Sequence, residues 1–349
     1  MTNILDEQLN LIDFSETDYI LRSTQTVTQA NFGELVRQGI EGSLDLSISN
    51  IFFGGLRLIF AEIFANIHLL QQLIFVAVLA AILKVLTESF ESKGVGELGF
   101  YVCYLALIAI IFSSFFFAID VVHTMVNSVS ALVRASIPIV ISLVLMSGNI
   151  TGAYVFNALF LFAIDILNFL VLTVFLPLTV FGATVHIINF LTENEVLSKL
   201  SEGMQKIISW GLKSSVAIFI TVLTLQRISA PILNNIARQT ARVTLNVVPV
   251  VGEVLTGAMD QVFFLAASAK NGVIVAIILA VIYICVVPIT KLVVLMFVYK
   301  LVAAILQPIS DKRIVKCLDV TGSYLAILFG VCVLIAVMFA FALLLLVSF

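Results

Sequence analysis

The sequence predicts an all-α integral membrane protein: a polytopic helix bundle with internal inverted repeats, broken and re-entrant helices, and amphipathic helices at the interface. Of its 349 residues, 61% are hydrophobic and 11% are charged, whereas soluble domains carry roughly 25% charged residues. Around residues 86, 191 and 306, a short charged segment separates two apolar spans. Two pairs of prolines also recur at equal spacing. Low charge predicts the membrane, and the recurring patterns predict duplication.

The number of spans follows from the bilayer thickness, because a crossing helix needs about 20 apolar residues. The apolar stretches give room for about eight such helices. The predicted spans are Leu69–Leu86, Leu98–Ile119, Ala153–Phe175, Leu176–Leu191, Gly211–Leu225, Val262–Val287, Pro288–Leu306 and Ser323–Val347.

Two junctions join apolar spans without a polar loop. They lie at Pro177 and Pro288, and each proline is followed two positions later by a threonine. Proline removes a backbone donor and disrupts a helix. Irregular backbone is not tolerated against lipid, so breaks here should be shielded by protein or line a cavity. A simple kink in one long helix is the alternative.

A second matched pair of prolines supports duplication. Pro138 follows Arg134, Pro249 follows Arg242, and each proline opens a short apolar piece that suits a re-entrant hairpin. The distance from each of these prolines to the corresponding junction proline is 39 residues in both copies. The equal spacing is stronger evidence of duplication than general apolarity.

These patterns divide the chain into four parts. Residues 1–62 form an acidic, extracytoplasmic, amphipathic-helical segment, 63–133 a partial first membrane repeat, 134–241 a second repeat and 242–349 a third. An odd number of crossings in each full copy inverts the next copy, as in many transporters. The positive-inside rule then places the loop at Lys199 opposite the loop at Lys312.

The N-terminal segment has nine acidic and three basic side chains, a net charge of −6. Its residues Phe32, Leu35, Val36 and Ile40 follow helical spacing. It is too small for a core of its own, so its apolar stripes should need a membrane or a partner. The first residues lack the basic and apolar regions of a secretory signal peptide. The first span is then expected to direct insertion, unless a leader is absent from this chain.

The segment Val196–Trp210 has the pattern of an amphipathic helix lying in the plane of the interface. Apolar side chains fall on one face, and Lys199, Glu202 and Lys206 fall on the other. A gating or docking helix is the functional interpretation. A connector at the membrane surface is the alternative.

Ionisable residues inside spans are costly and are therefore candidates for function. Lys84 and Asp165 are the clearest cases, although Lys84 is close enough to a span end to extend its ammonium to the interface. Asp165 should face the bundle interior or a water-filled cavity, or pair with a neighbouring helix. Asp120 and His123 share a helical face at a span end.

Signatures of soluble enzymes are missing from the sequence. Three histidines occur without a zinc-protease motif, and there is neither a nucleophile elbow nor a phosphate-binding loop. The four cysteines have no metal-ligand or redox spacing and are expected to be packing residues. The net charge of −3 argues against a nucleic-acid partner. We expect neither catalysis nor a cofactor or metal.

Six separated stretches resemble the stage III sporulation protein AE family over nearly the whole chain. They are LDLSISNIFF, VLTESFESKGVGELGFYVCYLA, RASIPIVISLVLMSG, TARVTLNVVPVVGEVLTGAMD, SAKNGV and AAILQPISDKRI. The resemblance implies a multi-pass protein of endospore-forming bacteria in the mother-cell membrane that surrounds the forespore. It further implies that the other stage III A-operon membrane proteins are partners. Through these proteins the chain would also be connected to the forespore stage II Q protein.

Three functions compete at this point. The first is a permease-like or export-gate-like core of the mother cell–forespore channel or secretion-like complex. The second is a structural membrane scaffold for that complex, and the third is a stand-alone secondary transporter. The transported substrate, the energy source and the presence of a homo-oligomer stay open.

Overall fold

The computed structural model describes residues 14–24, 31–41, 48–89, 93–146, 161–162, 164–190, 199–221 and 251–347, and these form helices and turns. The short N-terminal helices are α1 (Ser15–Thr24), α2 (Phe32–Glu41) and α3 (Ile48–Ala65). The longer helices that follow are α4 (Ile67–Ser89), α5 (Lys93–Met146), α6 (Ile164–Asn189), α7 (199–221), α8 (Val251–Leu306) and α9 (Lys312–Val347).

Within the described residues, five helices are apolar enough and long enough to cross a membrane. This finding confirms the all-α membrane class. Their apolar segments are Ile67–Val85, Tyr101–Met146, Ile164–Asn189, Ala269–Leu306 and Lys312–Leu344. The separate spans predicted on either side of the junction prolines are wrong, because the described residues next to each proline belong to one helix on both sides. Three segments, of 46, 38 and 33 residues, exceed the length of about 20 residues that one perpendicular crossing needs.

The predicted helix breaks at proline are also wrong. Helix α5 continues through Pro138 and α8 continues through Pro288. Helix α6 continues through Pro177, and both Pro138 and Pro177 are exposed. The re-entrant hairpin predicted after Pro138 is therefore replaced by a continuous helix. Pro249 lies outside the described residues.

Side-chain hydroxyls bond the backbone close to both junction prolines. The Thr179 hydroxyl donates to the Phe175 carbonyl at 2.6 Å, and the Thr290 hydroxyl donates to the Val286 carbonyl at 2.8 Å. Before Pro177 the chain also widens into a π-helix over Phe169–Phe175. A local π-helical turn is a recognised way of keeping a proline inside a membrane helix. At both Pro177 and Pro288 the structure therefore agrees with the alternative interpretation, one long helix that runs through the proline.

Helices α8 and α9 form a long antiparallel hairpin whose facing sides make the centre of the core. The turn spans residues 307–311. At about 1.5 Å per residue, α8, with 56 residues, is about 84 Å long. The core side chains of the hairpin are almost all aliphatic, and fully buried examples are Val273, Ile277, Val281, Leu292, Val302, Leu318, Leu328, Val331 and Cys332. Helices α4 and α5 pack beside this hairpin.

The N-terminal helices pack onto the bundle of their own chain. The N–H of Phe32, at the start of α2, donates to the Asp18 carboxylate of α1 at 2.5 Å, which satisfies a free donor at the helix start. Phe32, Leu35 and Val36 are buried, and α2 packs against α8. The predicted amphipathic face of α2 is thus confirmed at these three residues, but its cover is the same chain and no external partner is required.

Helix α2 approaches α8 closely through glycine. A Cβ atom at Gly39 would lie 2.9 Å from the backbone oxygen of Gly272, closer than real Cβ contacts allow. A Cβ atom at Gly33, in the same helix, would meet nothing within 4 Å. The absence of a side chain at Gly39 therefore allows the two helices to touch.

We predict opposite effects for alanine at these two glycines. Gly39→Ala should loosen α2 from α8, by about 1–3 kcal/mol as in other overpacked contacts. Gly33→Ala should be neutral or stabilising, because alanine favours a helix by about 1 kcal/mol over glycine. Hydrogen exchange of the amides in Phe32–Glu41, measured in detergent, should be faster in the first variant only. Equal exchange in both variants would contradict the close contact.

Candidate functional site: a polar cleft beside the α8–α9 turn

A cleft of about 610 Å³ opens between α6, α7, α8 and α9, near the turn at residues 307–311. Its lining is polar for a membrane protein, with two cations and two carboxylates. The polar lining residues are His186, Glu202, Gln205, Lys300, Gln307, Lys316, Asp319 and Ser323. Ionisable groups inside membrane helices are usually paired or hydrated and often mark a pathway or a binding site.

Lys300 is the centre of the polar network in the cleft. Its Nζ donates to Asp319 Oδ1 at 2.7 Å and to Ser323 Oγ at 2.9 Å. The Lys300 stem passes over Gly322, where a Cβ atom would lie 3.1–3.3 Å from three of its carbons. Glycine at this position lets the lysine cross to the facing helix. The ammonium is therefore held in place by the two helices of one hairpin.

Aromatic rings pack at one wall of the cleft. The His186 ring stacks on Phe190 with centroids 5.3 Å apart and meets the Tyr324 ring edge-on at 6.0 Å. The Tyr324 hydroxyl donates to the Ser201 carbonyl at 3.4 Å. A Cβ atom at Gly182 would come 2.9 Å from that hydroxyl. Tyr324 thus bridges α6, α7 and α9 beside the cleft.

Helix α7 runs antiparallel to α6. Gly182 and Ser201 both contact Tyr324, while further along Gly211 packs against the Phe175 ring. The residue numbers fall along α6 as they rise along α7, so the two helices point in opposite directions. The amphipathic segment predicted at Val196–Trp210 thus packs along the bundle in its described part, and it does not float as a separate connector.

The cleft also bears on the predicted inversion of the repeats. Phe190 and Glu202, which flank the loop before Lys199, line the same cavity as Gln307 and Lys316 from the α8–α9 turn. The described ends of α6 and α7 therefore lie at the same end of the bundle as the α8–α9 turn. Inversion predicts opposite ends, so the geometry contradicts it. The duplication and the four-part division of the chain stay predictions.

A second ionic cluster forms at the turn itself, around Asp311. One carboxylate oxygen accepts the N–H of Arg313 at 2.7 Å and caps the start of α9. The other oxygen accepts from Lys84 Nζ of α4 at 2.6 Å, and Arg313 Nε lies 3.3 Å from the carboxylate. Lys84, a sequence candidate, thus binds a residue 227 positions away. The bond fixes α4, the first membrane helix, to the turn between α8 and α9.

The environment of Asp311 favours its charged form. Burial alone would raise the pKa of the carboxyl. The hydrogen bonds from Lys84 and the Arg313 N–H, together with the charges of both side chains, outweigh burial and lower the pKa below its ordinary value. The cap and the ion pair are therefore intact at neutral pH.

Asp165 has a partner but is not inside the bundle. Its carboxylate pairs with Arg134 of α5, and next to this pair the Ser130 hydroxyl donates to Asn168 at 2.7 Å. The Asp165 side chain is 58% exposed on the isolated chain and that of Arg134 is 47% exposed. The alternative of pairing with a neighbouring helix is correct, and the predicted interior position is wrong. The pair lies apart from the cleft.

Other sequence candidates do not join the cleft. Asp120 and His123 are exposed on α5, where Asn127 Nδ2 lies 3.1 Å from the His123 ring. Arg242 lies outside the described residues. No cluster of three histidine, cysteine or acidic side chains suited to a metal ion occurs in the described ranges. The four cysteines are buried.

The comparisons with known proteins agree with the resemblance of the sequence motifs. Residues 30–349 match the family model described as Stage III sporulation protein AE. The chain belongs to this family. A Bacillus subtilis (strain 168) relative, Stage III sporulation protein AE, is 29% identical over 282 residues, covering 80% of this chain and 71% of the relative. No solved structure matches. A role in sporulation and a multi-pass membrane protein follow from family membership and the apolar helices.

For this stage III sporulation protein AE family member, we predict that the cleft admits water. Ser323→Cys should react with a charged, membrane-impermeant thiol reagent, whereas Thr321→Cys should not, because Thr321 is buried two residues away. The native cysteines are all buried and should give a low background. Mass spectrometry of protein in nanodiscs measures the labelling. An unreactive Ser323→Cys would show that the cleft is closed to solvent.

We further predict that Asp311→Asn destabilises the folded protein by about 1–3 kcal/mol, because it weakens a cap and removes a charged hydrogen bond. This expected loss of stability allows for screening of the ion pair by solvent, since the Lys84 side chain is 41% exposed. Thermal unfolding in detergent measures the loss of stability. A double-mutant cycle with Lys84→Met isolates the interaction energy of the Asp311–Lys84 pair.

The pH dependence of this stabilisation follows from the sign of the shift. A lowered pKa means that the contribution is full above the ordinary pKa of aspartate and is lost as pH falls through the folded-state value. The difference in stability between the native chain and Asp311→Asn should therefore stay constant from pH 8 to 6 and shrink below about pH 4. A difference that varies across neutral pH would contradict the charged state of Asp311.

Proposed function

We propose that this chain is the permease-like or channel-like membrane subunit of the sporulation complex between mother cell and forespore, acting without catalysis of its own. The single observation that carries the proposal is the polar cleft with Lys300, Asp319 and Ser323 at its centre. Charged groups in a membrane bundle are costly to maintain, and this pair lines a cavity instead of being enclosed by packing. The sporulation context comes from the family.

The proposed route starts at the cleft and depends on the ion pair across the hairpin. Lys300 and Asp319 are partly exposed to the cavity, so a passing polar group can exchange with one partner of the pair while the other keeps its charge compensated. The route would be completed by the proposed partners, the other stage III A-operon membrane proteins and, through them, the forespore stage II Q protein. The location is the mother-cell membrane.

A structural scaffold is the second candidate, and a different observation favours it. The α8–α9 hairpin and α5 share a large aliphatic core. A second described cavity, of about 550 Å³ beside Asn66, is lined by other residues, which belong mainly to α4, α5 and α8. A rigid core of this kind suits a protein that gathers other subunits. The two functions differ in what the cleft must do.

The experiment is a double variant, Lys300→Met with Asp319→Asn, which removes both charges together and leaves no uncompensated ion. Lys312→Gln, an exposed lysine outside the cleft, is the matched control. Both are expressed in an endospore-forming host that lacks its own copy. We expect the double variant to assemble with its partners, measured by co-purification, yet to reduce heat-resistant spores by at least tenfold, while the control sporulates normally.

The outcomes separate the candidates. Normal co-purification with lost spores supports passage through the cleft. Normal co-purification with normal spore yield favours the scaffold and refutes the conducting role of the cleft. Lost co-purification shows that the ion pair serves assembly, which also refutes the proposal.

A further inference from the structure

The Lys300–Asp319 pair in the cleft keeps hydrogen-bonding capacity of both kinds. An ammonium has three N–H donors, and Lys300 directs two of them to Asp319 and Ser323. Among the described residues the third has no acceptor. The Asp319 carboxylate accepts from Lys300 and can accept several more hydrogen bonds. The two side chains are 41% and 54% exposed, so a molecule in the cleft can reach both of them.

A second wall of the cleft supplies a further donor. Gln205 of α7 lines the cavity, and its Nε2 atom is buried without a hydrogen-bond partner in the part of the chain that the structure describes. A buried N–H group without an acceptor costs free energy, so this amide favours a ligand that brings an acceptor. Because Lys300 and Asp319 belong to the α8–α9 hairpin, such a ligand would be held between the hairpin and α7.

A solute with a single charge matches this site poorly. An anion that accepts the third N–H of Lys300 lies within a few ångström of the Asp319 carboxylate, and a cation bound to Asp319 lies equally close to Lys300. Like charges at such short distances repel each other. A solute with both charges can place its carboxylate at Lys300 and its ammonium at Asp319. Glu202 and Lys316 add one charge of each sign to the lining, so the surroundings favour a solute without net charge.

The size of the cleft suits a small molecule. Its volume of about 610 Å³ falls within the range of about 300–1,000 Å³ that is typical of small-molecule sites. Such sites combine apolar walls with a few polar groups that orient the ligand. The apolar part of this lining includes Phe190, Ala303, Val315 and Val320.

We propose that the cleft binds small zwitterions, molecules that carry one ammonium and one carboxylate, of which amino acids are the simplest class. The inference rests on the proposed function, because it names the class of solute that the cleft admits. The solute carboxylate accepts from Lys300 and Gln205, and the solute ammonium donates to Asp319. The Lys300–Asp319 pair can then open while both of its charges stay compensated.

The test is a binding assay on the purified full chain in nanodiscs. A radiolabelled mixture of neutral amino acids is bound first, and unlabelled L-alanine, propionate or ethylamine is then added to displace it. Propionate lacks the ammonium of alanine, and ethylamine lacks its carboxylate. We expect L-alanine to displace half of the label at a concentration about tenfold lower than either analogue requires, because each analogue loses one charged contact.

Four variants assign the binding to the ion pair. Lys300→Met leaves the Asp319 charge without its partner, so this variant should bind labelled ethylamine better than propionate. Asp319→Asn should show the reverse order. Lys300→Met with Asp319→Asn should lose the bound amino acids, whereas the exposed Lys312→Gln outside the cleft should keep them. Size-exclusion chromatography checks folding, and the displacement measured on the native chain decides the proposal where a variant does not fold.

Three results would overturn the zwitterion site. The first is a native chain that retains no labelled amino acid. The second is displacement by propionate or ethylamine as effective as displacement by L-alanine. The third is binding that persists unchanged in the folded double variant, which would place the bound amino acids elsewhere on the chain.

The assay is independent of the spore yield, so the failure of this inference differs from the failure of the proposed function. Lost spores in the double variant, together with a native chain that binds no amino acid, would support passage through the cleft and refute the zwitterion class. Selective binding of amino acids, together with normal spores in the double variant, would support the site and refute passage.

Discussion

Inside a bilayer, a backbone carbonyl that loses its helical N–H has no water to replace it, so every helix must satisfy its own polar groups. Three prolines nevertheless sit within continuous helices. A widened π-helical turn precedes Pro177, and Thr179 and Thr290 each add a hydroxyl bond to the carbonyl two residues before a proline. At the α8–α9 turn the same need is met by the Asp311 carboxylate.

Charged side chains follow a parallel rule, because each of the three described ion pairs between elements compensates a charge with an opposite one. One pair crosses the α8–α9 hairpin, one ties α4 to the turn, and one joins α5 to α6. The pair between α4 and the turn links residues 227 positions apart, so it specifies a neighbour that the connection of the chain does not. Apolar packing is less selective, since aliphatic surfaces are nearly interchangeable. That ion pair therefore defines its contact more sharply than aliphatic packing does.

The sequence predicted the helix class and the amphipathic helix α2, because both depend on local periodicity and composition. It failed at Pro177 and Pro288, where a proline in isolation reads as a break. The proline alone does not reveal how the helix around it continues, as the π-helical turn before Pro177 shows. The inversion failed for another reason: the sequence shows loops and charges but does not show which loops share an end of the bundle.

The polar cleft was missed although a signal for it existed. Lys300 and Asp319 stand nine and ten residues from Ile309 in the middle of the turn, and residues equally far from the turn of an antiparallel hairpin face each other. That argument requires knowing that Gln307–Asp311 is a tight turn between two helices. His186 and Glu202 join the cleft from α6 and α7, and no spacing in the sequence relates them to Lys300. Such convergence is a property of tertiary packing alone.

The contact between Gly39 and Gly272 has a consequence for how the chain is made. Helix α2 is synthesised 233 residues before the backbone on which it packs, and at about 5–20 residues per second the interval is on the order of 10–50 s. During that time the apolar face of Phe32, Leu35 and Val36 lacks the cover that α8 supplies. The start of the protein must therefore be held by membrane, chaperone or insertion machinery until α8 emerges.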